Sequence, residues 1–317
     1  IAVLTSGGDC PGMNAAIRSI VRAGISLGLN VYGIEQGYKG LIENKFSLMD
    51  SKSVSNIIQR GGTILRSARS EEFKKESGQK KAISNLEKNK IDGLIVIGGD
   101  GSLAGANLLS TVYGLDVVGL PGSIDNDIYG TDMAIGVDTA LNTILRSIDI
   151  INDTASSHDR TFIIEVMGRN CGYLALMSAI AGGAEAVLIP EVEYDIESII
   201  KKIKKRYDEG KSRSIVILAE GVGSAYDFGK VFGMIGGFET RITVLGHIQR
   251  GGSPTVFDRI LATRMGTAAV ESLLEGKSGV MMGLQKTKIE QVPLGEVIGN
   301  KKSIDSKLLA MAEILSK

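Results

Sequence analysis

Leu94-Ile95-Val96-Ile97-Gly98-Gly99-Asp100-Gly101-Ser102 is the stretch that decides the fold class. Four apolar residues typical of a buried β-strand run into a glycine turn, and a helical stretch through Leu108 and Leu109 follows. The chain then returns to an apolar run at residues 117–120. A strand, a glycine turn, a helix and a second strand form a βαβ unit, which predicts a parallel sheet at this point.

The same alternation extends outward in both directions. Short apolar runs predict further strands at residues 1–5, 31–34, 162–166, 186–189, 215–218 and 242–245. Helical spacing of apolar residues predicts helices at residues 13–27, 141–151, 173–184, 196–206 and 261–274. The charged stretch 71–90 is also predicted to be helical, with a break at Gly78. We therefore expect an α/β protein that binds its ligands at the carboxyl ends of parallel strands.

Composition narrows the class of protein. A chain of 317 residues suggests about two domains. The 36 basic and 36 acidic residues give a net charge of +0, which argues against a nucleic-acid or membrane-surface partner. Cys10 and Cys171 form no CxxC motif, so neither a disulfide framework nor a zinc cluster is expected. The chain opens on the strand-like Ile1-Ala2-Val3-Leu4, and a cytoplasmic protein with neither a signal peptide nor a membrane span is expected.

The glycine turn after residues 94–97 has two interpretations besides a merely tight turn. Residues 99–104 fit the G-x-G-x-x-A form of the dinucleotide fingerprint, so a dehydrogenase is one alternative. Asp100 would repel a pyrophosphate group unless a cation lay between them. With Mg²⁺ the carboxylate holds the metal and the metal holds phosphate oxygens, which favours a phosphoryl-transfer site.

A second polar loop, residues 121–127, follows the next buried strand. It carries the hydroxyl of Ser123 and the carboxylates of Asp125 and Asp127. Turn formation alone would explain such residues, but two acids one loop away from Asp100 favour a base that acts on a substrate hydroxyl. Glycine-flanked arginines, typical of phosphate contacts, occur at 66–69, 167–169 and 246–252. Acids for a metal and a base, together with arginines for several phosphates, predict phosphoryl transfer onto a phosphorylated substrate.

These motifs resemble those of the phosphofructokinase family. The matching segments follow the family's order and are residues 4–9 with 11–14, 60–63, 67–69, 98–102, 121–127, 165–169 and 245–254. The resemblance implies two similar three-layer αβα domains with mainly parallel sheets. It implies an ATP-binding domain at 1–136 plus 250–300 and a sugar-phosphate-binding domain at 137–249 plus 301–317. The implied enzyme, usually a homotetramer, phosphorylates the 1-hydroxyl of fructose 6-phosphate in glycolysis.

The resemblance also implies roles for individual residues. Asp125 would take the hydroxyl proton beside Ser123 and Asp127. Arg169 would support the transition state, and Arg69 would bridge the nucleotide phosphates and the substrate. The implied nucleotide-binding residues are Gly8, Arg69, Ser70, Gly99, Asp100, Gly101 and Ser102, with Asp100 placing Mg²⁺. The implied sugar-phosphate-binding residues are Ser123, Asp125, Arg160, Met167, Gly168, Arg169, Glu220, Arg241, His247 and Arg250. Of these, Arg160 and Arg241 resemble residues that reach the 6-phosphate from a neighbouring subunit.

The phosphoryl donor is a separate question. Pyrophosphate-using relatives carry Asp and Lys where this chain has Gly101 and Gly122, so ATP is expected. A pyrophosphate-dependent enzyme and a non-catalytic sugar-phosphate-binding protein of the same fold are the alternatives.

The family's effector site is matched only in part. Matches for an ADP or phosphoenolpyruvate site are Arg18, Arg22, Glu185 and Lys211. Ser51, Asn152 and Glu209 stand where relatives carry basic residues, and Lys52 and Arg213 lie close by as candidate substitutes. We expect a weak effector response, and the alternative is that Arg18 and Arg22 merely belong to a solvated helix face.

Overall fold

The computed structural model describes residues 1–155, 160–210, 213–237 and 239–315. The chain divides into two compact units. The first comprises Ile1–Ile124, Ile128–Thr139 and Arg250–Lys302, and the second comprises Asp125–Asp127, Ala140–Gln249 and Ser303–Lys317. These limits differ by a few residues from the domains that the resemblance implies. Which ligand each unit binds stays a prediction.

The structure resolves the alternation of strands and helices along the chain. The strands are β1 (Ala2–Ser6), β2 (Val31–Ile34), β3 (Phe46–Met49), β4 (Gly93–Gly98), β5 (Asp116–Pro121), β6 (Arg160–Val166), β7 (Ala186–Leu188), β8 (Arg213–Ala219), β9 (Thr240–Val244), β10 (Val280–Gln285) and β11 (Lys288–Pro293). The α-helices are α1 (Met13–Ser26), α2 (Gly37–Ile42), α3 (Glu76–Lys88), α4 (Asp100–Tyr113), α5 (Val137–Ala155), α6 (Tyr173–Gly182), α7 (Ile196–Asp208), α8 (Ala225–Val231), α9 (Val256–Leu274), α10 (Leu294–Gly299) and α11 (Ser306–Leu315). A π-helical turn spans Phe232–Gly236 and a 3-10 helix spans Gly246–Arg250.

The first unit is built on a seven-stranded sheet within the described residues, in the order β11-β10-β5-β4-β1-β2-β3. Its inner strands are parallel, while β3 and β11 pair antiparallel at the two edges. The central strands β1 and β4 are buried along their whole length, as expected when helices cover both faces of a parallel sheet. Because β1, β4 and β5 run parallel, the loops that follow these three strands emerge at the same edge of the sheet.

In the part of the chain that the structure describes, the second unit has a four-stranded sheet, in the order β7-β8-β6-β9. All its pairings are parallel. Helix α7 buries Ile200 and Ile203 against this sheet while Lys201, Lys204 and Lys205 are exposed. The basic run of α7 is therefore the solvated face of an amphipathic helix.

The predicted α/β fold with mainly parallel sheets is confirmed, and one predicted break is wrong. Helix α3 runs without interruption through Gly78 and begins only at Glu76, because residues 71–75 form a turn. That turn folds back onto the helix, where a Cβ at residue 78 would collide with the carbonyl oxygen of Glu72. Glycine therefore permits this close approach instead of ending the helix. The described helices include none that is both long and apolar enough to span a membrane.

Candidate active site

The turn between β1 and α1 carries the first predicted nucleotide-binding residue. Gly8 is exposed, and the guanidinium of Arg250 lies so close to its backbone that a Cβ there would collide with it. Arg250 Nη1 also donates a hydrogen bond to the Asp9 carbonyl oxygen at 3.3 Å. The first unit therefore brings a predicted nucleotide residue and a predicted sugar residue together.

A buried asparagine on α1 positions the loop that precedes the predicted phosphate arginines. The Nδ2 of Asn14 donates to the carbonyl oxygens of Arg60 and Gly61 at 3.1 and 3.2 Å. Its Oδ1 accepts the Ile64 N–H at 2.8 Å. Asn14 has no solvent exposure, so these bonds satisfy a buried amide while they hold the loop. The sequence analysis assigned no role to this residue.

The segment after this loop is attached to the end of β1. Thr5 Oγ1 donates to the Arg66 carbonyl oxygen at 2.7 Å, and Ser67 Oγ donates to the Gly7 carbonyl oxygen. Arg69 follows with an exposed side chain. Ser70 is partly buried, and its hydroxyl accepts the Phe73 N–H at 3.2 Å, so it also serves a local turn.

The loop after β4 leads directly into the amino terminus of α4. Gly99 is the residue before the helix, Asp100 and Gly101 are exposed in its first turn, and Ser102 is buried. Tyr38 anchors this turn from α2, because its hydroxyl donates to the Ser102 carbonyl oxygen at 2.6 Å. A helix amino terminus carries partial positive charge and favours phosphate groups.

One exposed carboxylate at this helix terminus fits a magnesium ion. Mg²⁺ keeps several waters and is held in proteins by one or two carboxylates together with substrate phosphates. The described residues contain no cluster of three or more His, Cys, Asp or Glu side chains around a metal position. A single carboxylate at a helix amino terminus is compatible with a metal that the nucleotide brings, and Asp100 stays the predicted magnesium ligand.

The loops after β4 and β5 lie beside each other. The Gly122 N–H donates to the Gly98 carbonyl oxygen at 2.9 Å. A Cβ built on Gly99 would lie 3.9 Å from the Cβ of Ser123, whose side chain is partly buried. The first unit thus places the predicted Ser123 next to the predicted phosphate loop.

In the second unit, the predicted base meets the predicted transition-state arginine. The Asp125 side chain is 4% exposed, and its Oδ2 lies 3.7 Å from Nε of Arg169, whose side chain is 59% exposed. Asp127 is partly buried two residues further along. A buried carboxylate beside an exposed guanidinium can accept a proton while the arginine still reaches a ligand.

Two side chains from neighbouring strand ends hold the loop of Arg169. Glu220 follows β8, and its Oε1 accepts the Arg169 N–H at 2.9 Å. Gln249 is fully buried after β9, and its Oε1 accepts the Met167 N–H at 3.1 Å. The Gln249 amide also donates to the Gly246 carbonyl oxygen at 3.0 Å. Glu220 was predicted only as a sugar ligand, and Gln249 was missed.

The remaining residues of this edge lie near the same loops. Gly168 is buried between Met167 and Arg169. His247 is exposed on the 3-10 helix Gly246–Arg250, which follows β9. The second unit therefore gathers most of its predicted sugar residues at the carboxyl ends of β6, β8 and β9.

Two predicted residues are not brought to that edge. Arg160 is the first residue of β6 and Arg241 is the second residue of β9, so both lie near the amino ends of their strands. A seven-residue strand such as β6 extends about 20 Å from end to end, which separates Arg160 from the Arg169 loop. Both arginines instead bind Glu239, a residue that the sequence analysis missed.

The predicted effector residues fall in both units. Arg18 is partly buried and Arg22 exposed on α1, whereas Lys211 lies outside the described residues. Glu185 is mostly buried, with Oε1 3.1 Å from Nη2 of Arg206 and Oε2 accepting the Ile215 N–H at 2.6 Å. Its carboxylate therefore already has protein partners.

Comparison with known proteins gives consistent matches along the whole chain. The family model described as phosphofructokinase matches residues 1–273. The chain is 57% identical over 316 residues to the ATP-dependent 6-phosphofructokinase of Halalkalibacterium halodurans, covering 100% of this chain and 99% of the relative. It is 52% identical to that of Halothermothrix orenii, again covering 100% and 99%.

Solved structures agree at the level of the fold. The chain superposes on Pichia pastoris phosphofructokinase in the T-state with a TM-score of 0.89 and 40% identity, over 94% of this chain and 37% of that one. A pyrophosphate-dependent phosphofructokinase from Marinobacter aquaeolei has a TM-score of 0.86 at 21% identity, over 99% of this chain and 90% of that one, and shows the fold alone. From the family model and these full-length relatives, this chain belongs to the phosphofructokinase family.

Proposed function

We propose that the chain transfers the γ-phosphoryl group of ATP to the 1-hydroxyl of fructose 6-phosphate, giving fructose 1,6-bisphosphate and ADP. The observation that carries this proposal is the buried Asp125 carboxylate 3.7 Å from Arg169. A base for the hydroxyl and a cation for the phosphoryl group are the two functions that this transfer requires. Full-length relatives named ATP-dependent 6-phosphofructokinase support the choice of substrates.

Positioning and charge neutralisation supply most of the catalysis in phosphoryl transfer. Asp125 accepts the proton of the sugar hydroxyl as that oxygen attacks, with Ser123 and Asp127 beside it in the chain. Arg169 and Arg69 neutralise charge on the transferred group, while the Gly8 N–H and the amino terminus of α4 bind phosphate oxygens. Mg²⁺, when held by Asp100, neutralises the nucleotide phosphates further.

The sugar phosphate is recognised at two places. Met167, Gly168, Glu220, His247 and Arg250 bind the sugar. Arg160 and Arg241 bind the 6-phosphate of a ligand in a neighbouring subunit of a homotetramer. Their position near the amino ends of β6 and β9, away from the Arg169 loop of the same chain, supports this division.

The proposal also covers the effectors that regulate the enzyme and the compartment in which it works. ADP or phosphoenolpyruvate acts as a weak effector through Arg18, Arg22, Glu185 and Lys211. The protein works in the cytoplasm, and it has neither a nucleic-acid nor a membrane partner, in keeping with its net charge of +0.

The decisive experiment compares ATP with pyrophosphate as phosphoryl donor, with fructose 6-phosphate as acceptor and Mg²⁺ present. We expect ADP formation that depends on fructose 6-phosphate, and at least tenfold slower turnover with pyrophosphate. Faster turnover with pyrophosphate would establish the alternative donor. Binding of fructose 6-phosphate without turnover on either donor would establish the non-catalytic alternative. The Asp125→Asn variant serves as the background control.

A further inference from the structure

A carboxylate bridges the two arginines that we assign to the ligand's 6-phosphate. Glu239 Oε2 lies 3.0 Å from Arg160 Nε, and Glu239 Oε1 binds Arg241 Nη2. Strand register explains the arrangement. Thr161 of β6 is paired with Thr240 of β9, so Arg160 and Glu239 lie opposite each other. Arg241 lies two residues after Glu239, and residues two apart along an extended strand face the same side.

The bridge leaves this cluster with one net positive charge, because two guanidiniums face one carboxylate. The hydrogen bond from Arg160 and the charges of both arginines lower the pKa of Glu239, so it is ionised at neutral pH. About half of the Glu239 side chain and half of the Arg241 side chain are exposed. The Arg160 side chain is less exposed, at 27%. An ion pair whose carboxylate is half exposed is weakly held, so the Glu239 carboxylate can move away from the guanidiniums.

We infer that Glu239 competes with the ligand's phosphate for Arg160 and Arg241, and so sets the affinity for the phosphorylated sugar. This inference rests on the proposed role of the two arginines. Each arginine gives one of its donor nitrogens to Glu239, and a phosphate needs the same donors for bidentate contact. Two anions beside one pair of cations repel each other, so a bound phosphate displaces the carboxylate.

Removing the charge of Glu239 tests the competition. We expect Glu239→Gln to lower the KM for fructose 6-phosphate three- to tenfold, while kcat changes far less. Inorganic phosphate, used as a competitive inhibitor against fructose 6-phosphate, should bind more tightly by a similar factor. Raising the salt concentration should shrink both differences, because exposed charges are screened. A residue that only stabilised the fold would not tighten binding of both anions.

The matched control is Asp227→Asn, which removes one carboxylate from the exposed Asp227–Lys230 pair of the same unit. It changes the net charge equally and should leave the KM within twofold. Arg160→Ala and Arg241→Ala test the role on which the inference depends. If these variants raise the KM but Glu239→Gln leaves it unchanged or raises it, the competition is refuted. If neither arginine variant raises the KM, the phosphate assignment itself fails.

Discussion

Burial and charge act together on Asp125. Its side chain is almost fully enclosed, yet its Oδ2 lies 3.7 Å from Nε of Arg169, so a cation stands beside the carboxylate that we propose as the base. We predict that Asp125→Asn lowers kcat by about 10²-fold or more, because an amide of equal size cannot accept the hydroxyl proton. ATP affinity, measured by calorimetry, should change less than threefold. Turnover within tenfold of the unaltered protein would contradict this assignment.

A substitution at Gly101 tests which phosphoryl donor the enzyme uses. A Cβ at this position meets no atom within 4 Å, so a larger residue fits without disturbing the protein. We predict that Gly101→Asp weakens ATP use by on the order of a few kcal/mol, because its carboxylate repels the nucleotide phosphates. The measured quantity is kcat/KM for ATP. Gly101→Ala is the matched control and should stay within threefold, whereas equal loss in both variants would show a steric effect.

Sequence motifs nominated residues with chemistry of their own, whose roles stay predictions, but they did not nominate the residues that position those motifs. Asp125, Arg169 and Asp100 stand in glycine-rich motifs after predicted strands. Asn14 and Gln249 act on backbone atoms up to 50 and 82 residues away in the chain. No local pattern marks such a bond, because only the folded chain brings its two ends together.

At the level of elements, Asp258 of α9 caps the amino terminus of α5. Its fully buried carboxylate accepts the N–H groups of Gly136 and Thr139 at 2.9 and 2.8 Å, as well as the Thr139 hydroxyl. That hydroxyl in turn accepts the Thr255 N–H at 3.0 Å at the start of α9. The beginnings of two helices therefore depend on one ionisable group.

The titration of Asp258 should make the free energy of unfolding depend on pH. Burial, opposed in part by these hydrogen bonds, raises the pKa of Asp258 to about 6. The folded state then binds this proton more tightly than the unfolded chain does. The protonated Asp258 carboxyl group contributes its full stabilisation below about pH 4. The free energy of unfolding then falls by about 3 kcal/mol as the pH rises to about 6. We predict that urea unfolding of Asp258→Asn lacks this decline, and an identical pH slope in both proteins would contradict the prediction.

Element prediction succeeded where one hydrophobic pattern dominates. The buried inner strand β4 and the amphipathic helix α7 have strong patterns, and both were predicted. The edge strands β3 and β11 have mostly exposed side chains, and the sequence analysis missed both. It also missed the inner strand β10, although that strand is mostly buried. Edge strands are held by pairing to a neighbour, so their own residues carry little signal.

At the scale of the whole molecule, the proposed effector response depends on how many cationic side chains remain available to an anionic effector. Glu185 is already paired with Arg206, and Arg213 Nη1 donates to the Asn152 carbonyl oxygen at 3.1 Å. Charge-assisted bonds contribute about 1.5–3 kcal/mol each, so missing basic residues should weaken anion binding strongly. We predict that ADP or phosphoenolpyruvate shifts half-saturation by fructose 6-phosphate less than threefold. Saturation curves with and without each effector measure this, and a tenfold shift would contradict it.

The positions of the predicted residues at opposite ends of β6 and β9 predict that two subunits contribute to each active site. Asp125 and Arg169 lie together in one chain, whereas Arg160 and Arg241 lie near the opposite end of their strands. If the arginines serve a neighbour, an Asp125→Asn subunit and an Arg241→Ala subunit can together form a complete site. Such a site needs Asp125 from one subunit and Arg241 from the next. Random mixing in equal amounts makes roughly a quarter of the sites complete.

We therefore predict that unfolding and refolding these two variants together restores activity that neither shows alone at low fructose 6-phosphate. The matched control mixes Asp125→Asn with Arg169→Ala. Both of those residues belong to the same chain's site, so no mixed site has both and no activity should return. No recovery in the test mixture despite formation of mixed oligomers would place Arg241 in the site of its own chain. Recovery in the control would instead show that Asp125 and Arg169 act from different subunits. The comparison works at limiting sugar phosphate, because the Arg241 variant should bind fructose 6-phosphate weakly rather than fail in the chemical step.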